Sequence, residues 1–397
     1  MTISRRELVA AGTSSLLVGS ANASAQVIAA PSSGYGTQDT PSVSENAVFL
    51  RGDSVFRTPQ AYAELLSQLA RQNPEIADSY GAGGAVEDLE NEFVKMTGKE
   101  KAIYLPTGTM ANQLAAKLLS GQKPKILVQD IAHYYRDEAH AAQRVHGRRL
   151  VPVKKGAAQY TLEELKETIA SENSKEVFPG QFGAIVIENP VRRANGEIFD
   201  LNEIRRISSF AQQNDIRMHL DGARLFFAST YSDVPIKEYA RYFDTVYISL
   251  YKYLGASSGA ILCGPTEIID QIPELMKVHG GVMAESWTNA AVALHGLSTI
   301  EQRLSSAKTK FTDFSNTINT ATPLNIKSFE KGSNVFKLYP GDIDAEKFQS
   351  YLAEQNIVVG GMNEENFIPI KMNETFLLTP NDKLSEAFKR AHLHASS

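Results

Sequence analysis

The stretch MHLDGARLFFAS, residues 218–229, decides how this chain is read. Ile216, Met218 and Leu220 mark a short run of strand character, and Asp221 and then Arg224 break it with opposite charges. A short β-rich run that stops at a glycine reads as a buried strand. Charges at the end of such a strand need partners, because an isolated ion is costly to hold away from water. In open α/β sheets the carboxyl ends of the strands are also where ligands bind. Asp221 is therefore placed to meet a cation, and the planar fork of Arg224 to take a carboxylate in two parallel hydrogen bonds. The competing reading is that Asp221 and Arg224 pair with each other, since structural ion pairs imitate sites.

Six further runs resemble the one that ends at Asp221. They are KAIYLPT (101–107), KILVQD (125–130), RRLVPV (148–153), FGAIVIEN (182–189), DTVYISL (244–250) and SGAILCG (258–264). Most are separated by helical patterns, so the seven runs, 216–221 included, predict a largely parallel sheet wrapped by helices. Thr161 with Glu164, and Asp200 with Glu203, stand at capping-box spacing and mark two helix starts. From about residue 300 a long helical stretch leads into SNVFKLY, DAEKFQSYLAEQN, IVVGGM and a last helix. The expected organisation is a large α/β domain over 48–300 and a smaller α+β domain over 301–397.

The composition narrows the partners. The chain has 397 residues, 43% of them hydrophobic, and a net charge of -5, which provides no basic field for nucleic acid. Small molecules are the expected partners. Cys263 is the single cysteine, so neither an intrachain disulfide nor a cysteine-based zinc site can form, and it reads as a small core residue. Residues 1–25 are of another kind: Arg5 and Arg6 precede the apolar run LVAAGTSSLLVG, and ANASA offers small-residue cleavage sites. This pattern resembles a twin-arginine export signal, which implies the twin-arginine machinery as a partner and a periplasmic or exported mature chain. The apolar run is too short for a spanning helix, so no membrane segment is expected in the mature form. Residues 26–47 read as a Ser/Gly/Pro-rich linker.

Three formal motifs fail on context. Gly255, Ser257 and Gly259 fit G-x-S-x-G, but a strand pattern follows where a nucleophile elbow needs a helix. GAGGAV (81–86) follows no strand, lacks the third glycine of a dinucleotide fingerprint, and reads as a turn. His133, His140 and His146 are not spaced to share one helix face, and no metal site is expected.

What remains coheres. YLPTGTMANQLAAKLL runs from a strand through Thr107, Gly108 and Thr109 into a helix, which offers backbone N–H groups to a phosphate, although a Thr cap with Gly is also a common way to start any helix. Lys252, in YISLYKYLGASSGA, lies just past a strand between Tyr251 and Tyr253. A desolvated amine there would have a lowered pKa and be nucleophilic; the plainer alternative is a solvated loop lysine.

HLDGARLF followed by Lys252, 31 positions after Asp221, with LPTGTMAN upstream, resembles the threonine aldolase and β-eliminating lyase group of fold type I pyridoxal phosphate enzymes. The resemblance also takes in FLRGDSVFRTP, YGAGGAVEDLENEF, IENPVRRANGEIFDLNEI and HGGVMAES. It implies a fold type I α/β architecture, pyridoxal 5′-phosphate as cofactor, and a homodimer or homotetramer. By this resemblance Lys252 would hold the cofactor covalently, Asp221 would keep its ring nitrogen protonated, and Gly108 and Thr109 would bind its phosphate. His133 would stack on the ring and assist proton transfer, and Arg224, with Arg193 as a weaker candidate, would bind the substrate carboxylate. The implied reaction cleaves a β-hydroxy-α-amino acid to glycine and an aldehyde. The same scaffold can eliminate a β-substituent or racemise, and a non-catalytic periplasmic binding protein is a further alternative.

Three positions depart from the family pattern. Gly52 stands where many members have a serine at the substrate carboxylate, Ala284 where an arginine often approaches the phosphate from another subunit, and Phe376 is expected to replace an arginine of the C-terminal domain. With Phe376 in the pocket, a substrate with an apolar side chain is expected to be favoured over threonine.

Overall fold

The computed structural model describes residues 46–54 and 57–396. The expected export signal therefore lies outside the described residues. Among the described residues twelve strands form three sheets. The large one has the order β2-β8-β7-β6-β5-β3-β4, with β2 Lys101–Leu105, β3 Lys125–Gln129, β4 Arg149–Val153, β5 Phe182–Glu188, β6 Arg217–Asp221, β7 Thr245–Ser249 and β8 Ala260–Gly264. Each of these falls within one of the seven runs read from the sequence. The sheet is parallel from β4 to β7, and only β8 runs antiparallel, to both β7 and the edge strand β2. The central strands are buried throughout, as parallel strands covered by helices on both faces must be.

The helices include α1 Gly84–Thr97, α2 Gly108–Ser120, α3 Leu162–Ser174, α4 Leu201–Gln213 and α5 Ile300–Ala321. GAGGAV is more than the expected turn, because α1 begins inside it: Gly83 and Gly84 hold positive φ, and a side chain on Gly84 would strike the carbonyls of Ile76 and Ala77. Thr161 and Glu164 form the full capping box of α3. At α4 only half of the expected box exists. Asp200 caps the helix through the Asn202 amide, whereas Glu203 reaches across to the Leu162 amide at 2.9 Å.

The C-terminal strands β9 Asn325–Ser328, β10 Val335–Tyr339 and β12 Ile368–Lys371 form an antiparallel sheet. The short β1, Val48–Phe49, pairs in parallel with β11, Ile357–Val358. Val48 and Leu50 consequently pack in the C-terminal hydrophobic cluster with Phe311, Phe314 and Phe388. Phe376 belongs to that same cluster. It is fully buried, with ring centroids 5.2 Å from both Phe311 and Phe314. The expectation that Phe376 stands in the pocket is thus corrected: at that position the chain needs an apolar ring to fill a core.

Among the described residues no helix is long and apolar enough to cross a membrane, and no group of three His, Cys, Asp or Glu side chains could hold a metal ion. Cys263 is buried in β8, and burial pushes its thiol up to about 12.

Candidate active site

Asp221 and Arg224 do not pair with each other. Asp221 ends β6, almost fully buried, where Oδ2 accepts from Asn112 Nδ2 at 3.0 Å and Oδ1 from the Ala223 amide at 3.2 Å. Arg224 instead donates through Nε (3.1 Å) and Nη2 (2.8 Å) to Oδ2 of Asp53, and its pKa is raised: burial opposes the charge, but Asp53 outweighs it. Lys371, the last residue of β12, lies 3.9 Å from Oδ1 of the same aspartate. Burial alone would raise Asp53, yet Arg224 and Lys371 hold its carboxyl below the ordinary value.

Lys252 follows β7 in the turn before β8, with Nζ 5.5 Å from the centre of the Tyr251 ring. Burial, aided by the Arg224 cation, pushes its amine down to about 8, against the opposing pull of Asp221, Asp53 and Glu188. Lys252 is thus half-buried beside these charges, unlike a fully solvated loop lysine. Glu188 acts on Lys252, Arg224 and His133 alike, Asp221 on Lys252 and His133, and Asp53 on Lys252 and Arg224, so these residues share one electrostatic site.

Gly108 opens α2, with Thr107 as its cap accepting from the Met110 amide at 3.2 Å. A Cβ on Gly108 would lie 1.9 Å from the Tyr247 hydroxyl, so no larger residue fits there without displacing that ring. The first-turn amides of Gly108 and Thr109 have no intrahelical acceptor, the usual condition at a helix start and one suited to an anion. His133 begins a short helix, Nδ1 lying 3.3 Å from Glu138 Oε1 and its own amide donating to Glu188 Oε2 at 2.7 Å.

Two candidates fit less well. Arg193 is half-exposed and its guanidinium is taken up by Asp137 at 2.5 Å, beside Arg192 at 2.6 Å on the same carboxylate. Burial would raise Asp137, but these two arginines hold it down to about 2. Arg193 is therefore already paired with Asp137, while Glu188 acts on it as on Arg224. Gly52 adjoins Asp53, and its carbonyl accepts from Asn373 Nδ2 at 2.9 Å. A Cβ there would come within 2.4 Å of the Phe49 ring, so a serine could enter only if that ring moved. Ala284 serves through its backbone, accepting from the Tyr80 amide at 2.8 Å.

Asp53, Asn112, Glu138, Glu188 and Lys371 were not singled out from the sequence. Glu188 had the same signal as Asp221, an acid ending an apolar run, and the two are register partners on β5 and β6. Asn112 stands one helical turn past Gly108 on the same face.

The residues present fit a pyridoxal phosphate. A buried acid at a strand end, a depressed amine, leftover helix-start amides and a histidine converge. In addition Ser249 Oγ, three residues before Lys252, is buried without a partner.

Residues 50–356 match the family model described as beta-eliminating lyase, and the chain belongs to that family. It is 33% identical over 211 residues to the low-specificity L-threonine aldolase of Candida albicans, covering 53% of this chain and 56% of that protein. It is 26% identical over 340 residues to the low specificity L-threonine aldolase of Escherichia coli strain K12, covering 85% and 96%. The chain spans about half the length of several fungal relatives that it matches. Among solved structures, the Leishmania major threonine aldolase superposes with a TM-score of 0.66 at 15% identity, over 87% of this chain and 98% of that one, a likeness of fold. The fold is that of the fold type I enzymes.

Proposed function

We propose that this protein is a pyridoxal phosphate-dependent lyase that cleaves β-hydroxy-α-amino acids to glycine and an aldehyde. The observation that carries the reading is the depressed amine of Lys252 set among Asp221, Arg224 and Asp53 at the C-terminal ends of parallel strands. The threonine aldolase relatives on both sides of the fungal and bacterial divide support the choice of reaction.

Lys252 would hold the cofactor through Nζ, Asp221 would face its ring nitrogen, His133 its ring, and the Gly108 and Thr109 amides its phosphate. Bound there, the cofactor supplies a conjugated sink for the electrons of a bond to the substrate's α-carbon. The chain's own residues do the rest. Arg224 and Lys371 receive the substrate carboxylate and fix which α-carbon bond is aligned for cleavage. Asp221 would supply the buried counter-charge to a protonated ring nitrogen. His133 takes the proton from the β-hydroxyl as the aldehyde leaves.

A panel of β-hydroxy, β-thio and β-halo amino acids, assayed separately for aldehyde, glycine and pyruvate, tests this. Equal aldehyde and glycine from the β-hydroxy members is expected. Pyruvate as the main product, racemisation without cleavage, or no turnover would overturn it.

We further propose that the chain acts as a homodimer or homotetramer and is exported folded by the twin-arginine route. Tyr80 and Met283, 69% and 51% exposed, border a cavity of about 480 Å³ beside the edge strand β2, and a second copy would cover them. Arg5 and Arg6 ahead of an apolar run support export. Sedimentation at micromolar concentration should show no monomer, and Arg5→Lys with Arg6→Lys should keep the protein in the cytoplasm. A monomer, or unchanged export of the double variant, would contradict these two readings.

A further inference from the structure

We infer that Glu138 is a positioning residue that sets the tautomer and charge of His133, and that Asn112 ties this pair to Asp221 in one buried hydrogen-bonded chain. The inference rests on the reading of His133 as the proton acceptor and deepens it.

Asn112 Nδ2 donates to two carboxylates, Glu138 Oε1 at 2.9 Å and Asp221 Oδ2 at 3.0 Å. Two acceptors on one side fix the amide's orientation, so Asn112 Oδ1 must face His219 Nε2, 3.0 Å away. That nitrogen then carries the proton, and His219 Nδ1 accepts from the Thr245 hydroxyl at 2.8 Å. Burial holds His219 down to about 4, so it stays neutral and the assignment is unchanged around pH 7. Each hydrogen in this chain has one consistent place.

The other end of the chain is different. Glu138 Oε1 accepts from Asn112 and faces His133 Nδ1 at 3.3 Å, while Oε2 is buried with no partner. A carboxylate at Nδ1 selects the Nδ1–H tautomer and leaves Nε2 as the basic atom. When Nε2 gains a proton, Nδ1 keeps its own, and the new positive charge lies beside the Glu138 carboxylate. Returning the proton from Nε2 restores the neutral ring, so the cycle balances within the pair.

The other charges facing the pair are known. Asp221 and Glu188 act on His133 from β6 and β5, and Asp137 is occupied by Arg192 and Arg193. Burial pushes Glu138 up to about 7, against the hydrogen bonds from His133 and Asn112. His133 is raised: burial lowers it, but Glu138 and Asp221 together outweigh that. The two groups face each other at 3.3 Å, so their titrations are coupled. A residue that served packing alone would not need a charge in this place, since a buried carboxyl is costly.

The test is the titration of His133 by NMR in the full, pyridoxal phosphate-loaded chain. In the wild type His133 should titrate above the ordinary value of 6.5. Glu138→Gln retains an acceptor oxygen but removes the charge, and should lower that midpoint by about one unit or more, while Glu138→Asp should restore part of it. A midpoint that Glu138→Gln leaves in place would overturn the inference. Should that variant not fold, the wild type alone still decides, because the nitrogen shifts of deprotonated His133 must report Nδ1–H and an unprotonated Nε2. The Nε2–H form would overturn the inference equally. Failure to bind pyridoxal phosphate, visible as missing cofactor absorbance, would instead strike at the proposed function.

Discussion

One oxygen of Asp53, Oδ2, accepts both Nε and Nη2 of Arg224, across 171 positions of chain. The β1–β11 pairing carries Asp53 to Arg224, so the arginine is held by the N-terminal segment before any substrate arrives. A substrate carboxylate meets a pre-set fork with one edge already engaged, and Lys371 beside it.

Removing Asp53 should therefore cost stability. Asp53→Ala leaves a buried guanidinium uncompensated, and with the two side chains 15% and 13% exposed a loss of about 2–3 kcal/mol is expected in urea denaturation. The pH dependence has a definite sign. A carboxyl lowered in the folded state stabilises fully above its unfolded value of 3.8, and the contribution is lost as pH falls below that. Asp53→Ala should remove this part of the acid limb, and an unchanged acid limb would contradict the pairing.

On the proposed reading Lys371, beside Asp53 and Arg224, and not the core residue Phe376, would be the second specificity position. A charge-assisted contact is worth about 1.5–3 kcal/mol, so Lys371→Ala should raise KM for β-hydroxy amino acids by about tenfold or more with a smaller effect on kcat. Phe376→Ala should leave KM near that of wild type and destabilise the fold by about 3–5 kcal/mol, as truncation of a buried ring does. Steady-state kinetics and denaturation of the two variants separate these roles. With Phe376 in the core, no preference for an apolar side chain is expected from it.

Asp221 should matter for chemistry more than for folding. Its two oxygens hold only an asparagine amide and a backbone N–H. Asp221→Asn retains similar volume but cannot offset a ring cation, and should lower kcat by about a hundredfold or more with little change in thermal midpoint. Near-normal turnover would remove Asp221 from the mechanism.

The Lys252 amine sets a further pH dependence. With its value at about 8, the neutral fraction grows about tenfold per unit below pH 8 and levels off above it. Attachment of pyridoxal phosphate to the cofactor-free chain, followed by absorbance, should show that break near 8. A rate still rising steeply toward pH 10 would mean a solvated lysine.

The large sheet was legible because its seven strands are short β-rich runs, and Asp221, Lys252 and Gly108 were legible because they sit at strand ends or a helix start, where local pattern has chemical meaning. The rest depends on tertiary placement. Asp53 lies in a segment without regular structure and acquires its partner only when β1 joins β11. Lys371 ends an edge-like run in the C-terminal sheet, and nothing nearby in the chain announces an aspartate. Phe376 was misplaced for the same reason, because its two aromatic neighbours are more than a helix away in sequence. Glu203 shows the local version: the spacing suited a capping box, but a tertiary donor, the Leu162 amide, took the carboxylate.

The central claim is that Lys252 is the covalent anchor of a pyridoxal phosphate cofactor, and borohydride reduction of the loaded protein followed by peptide mapping tests it most directly. The label should be found on Lys252, in the peptide between β7 and β8, and should be absent from a Lys252→Ala variant that otherwise folds. Label on any other lysine, or a loaded protein in which borohydride fixes no cofactor, would contradict the account.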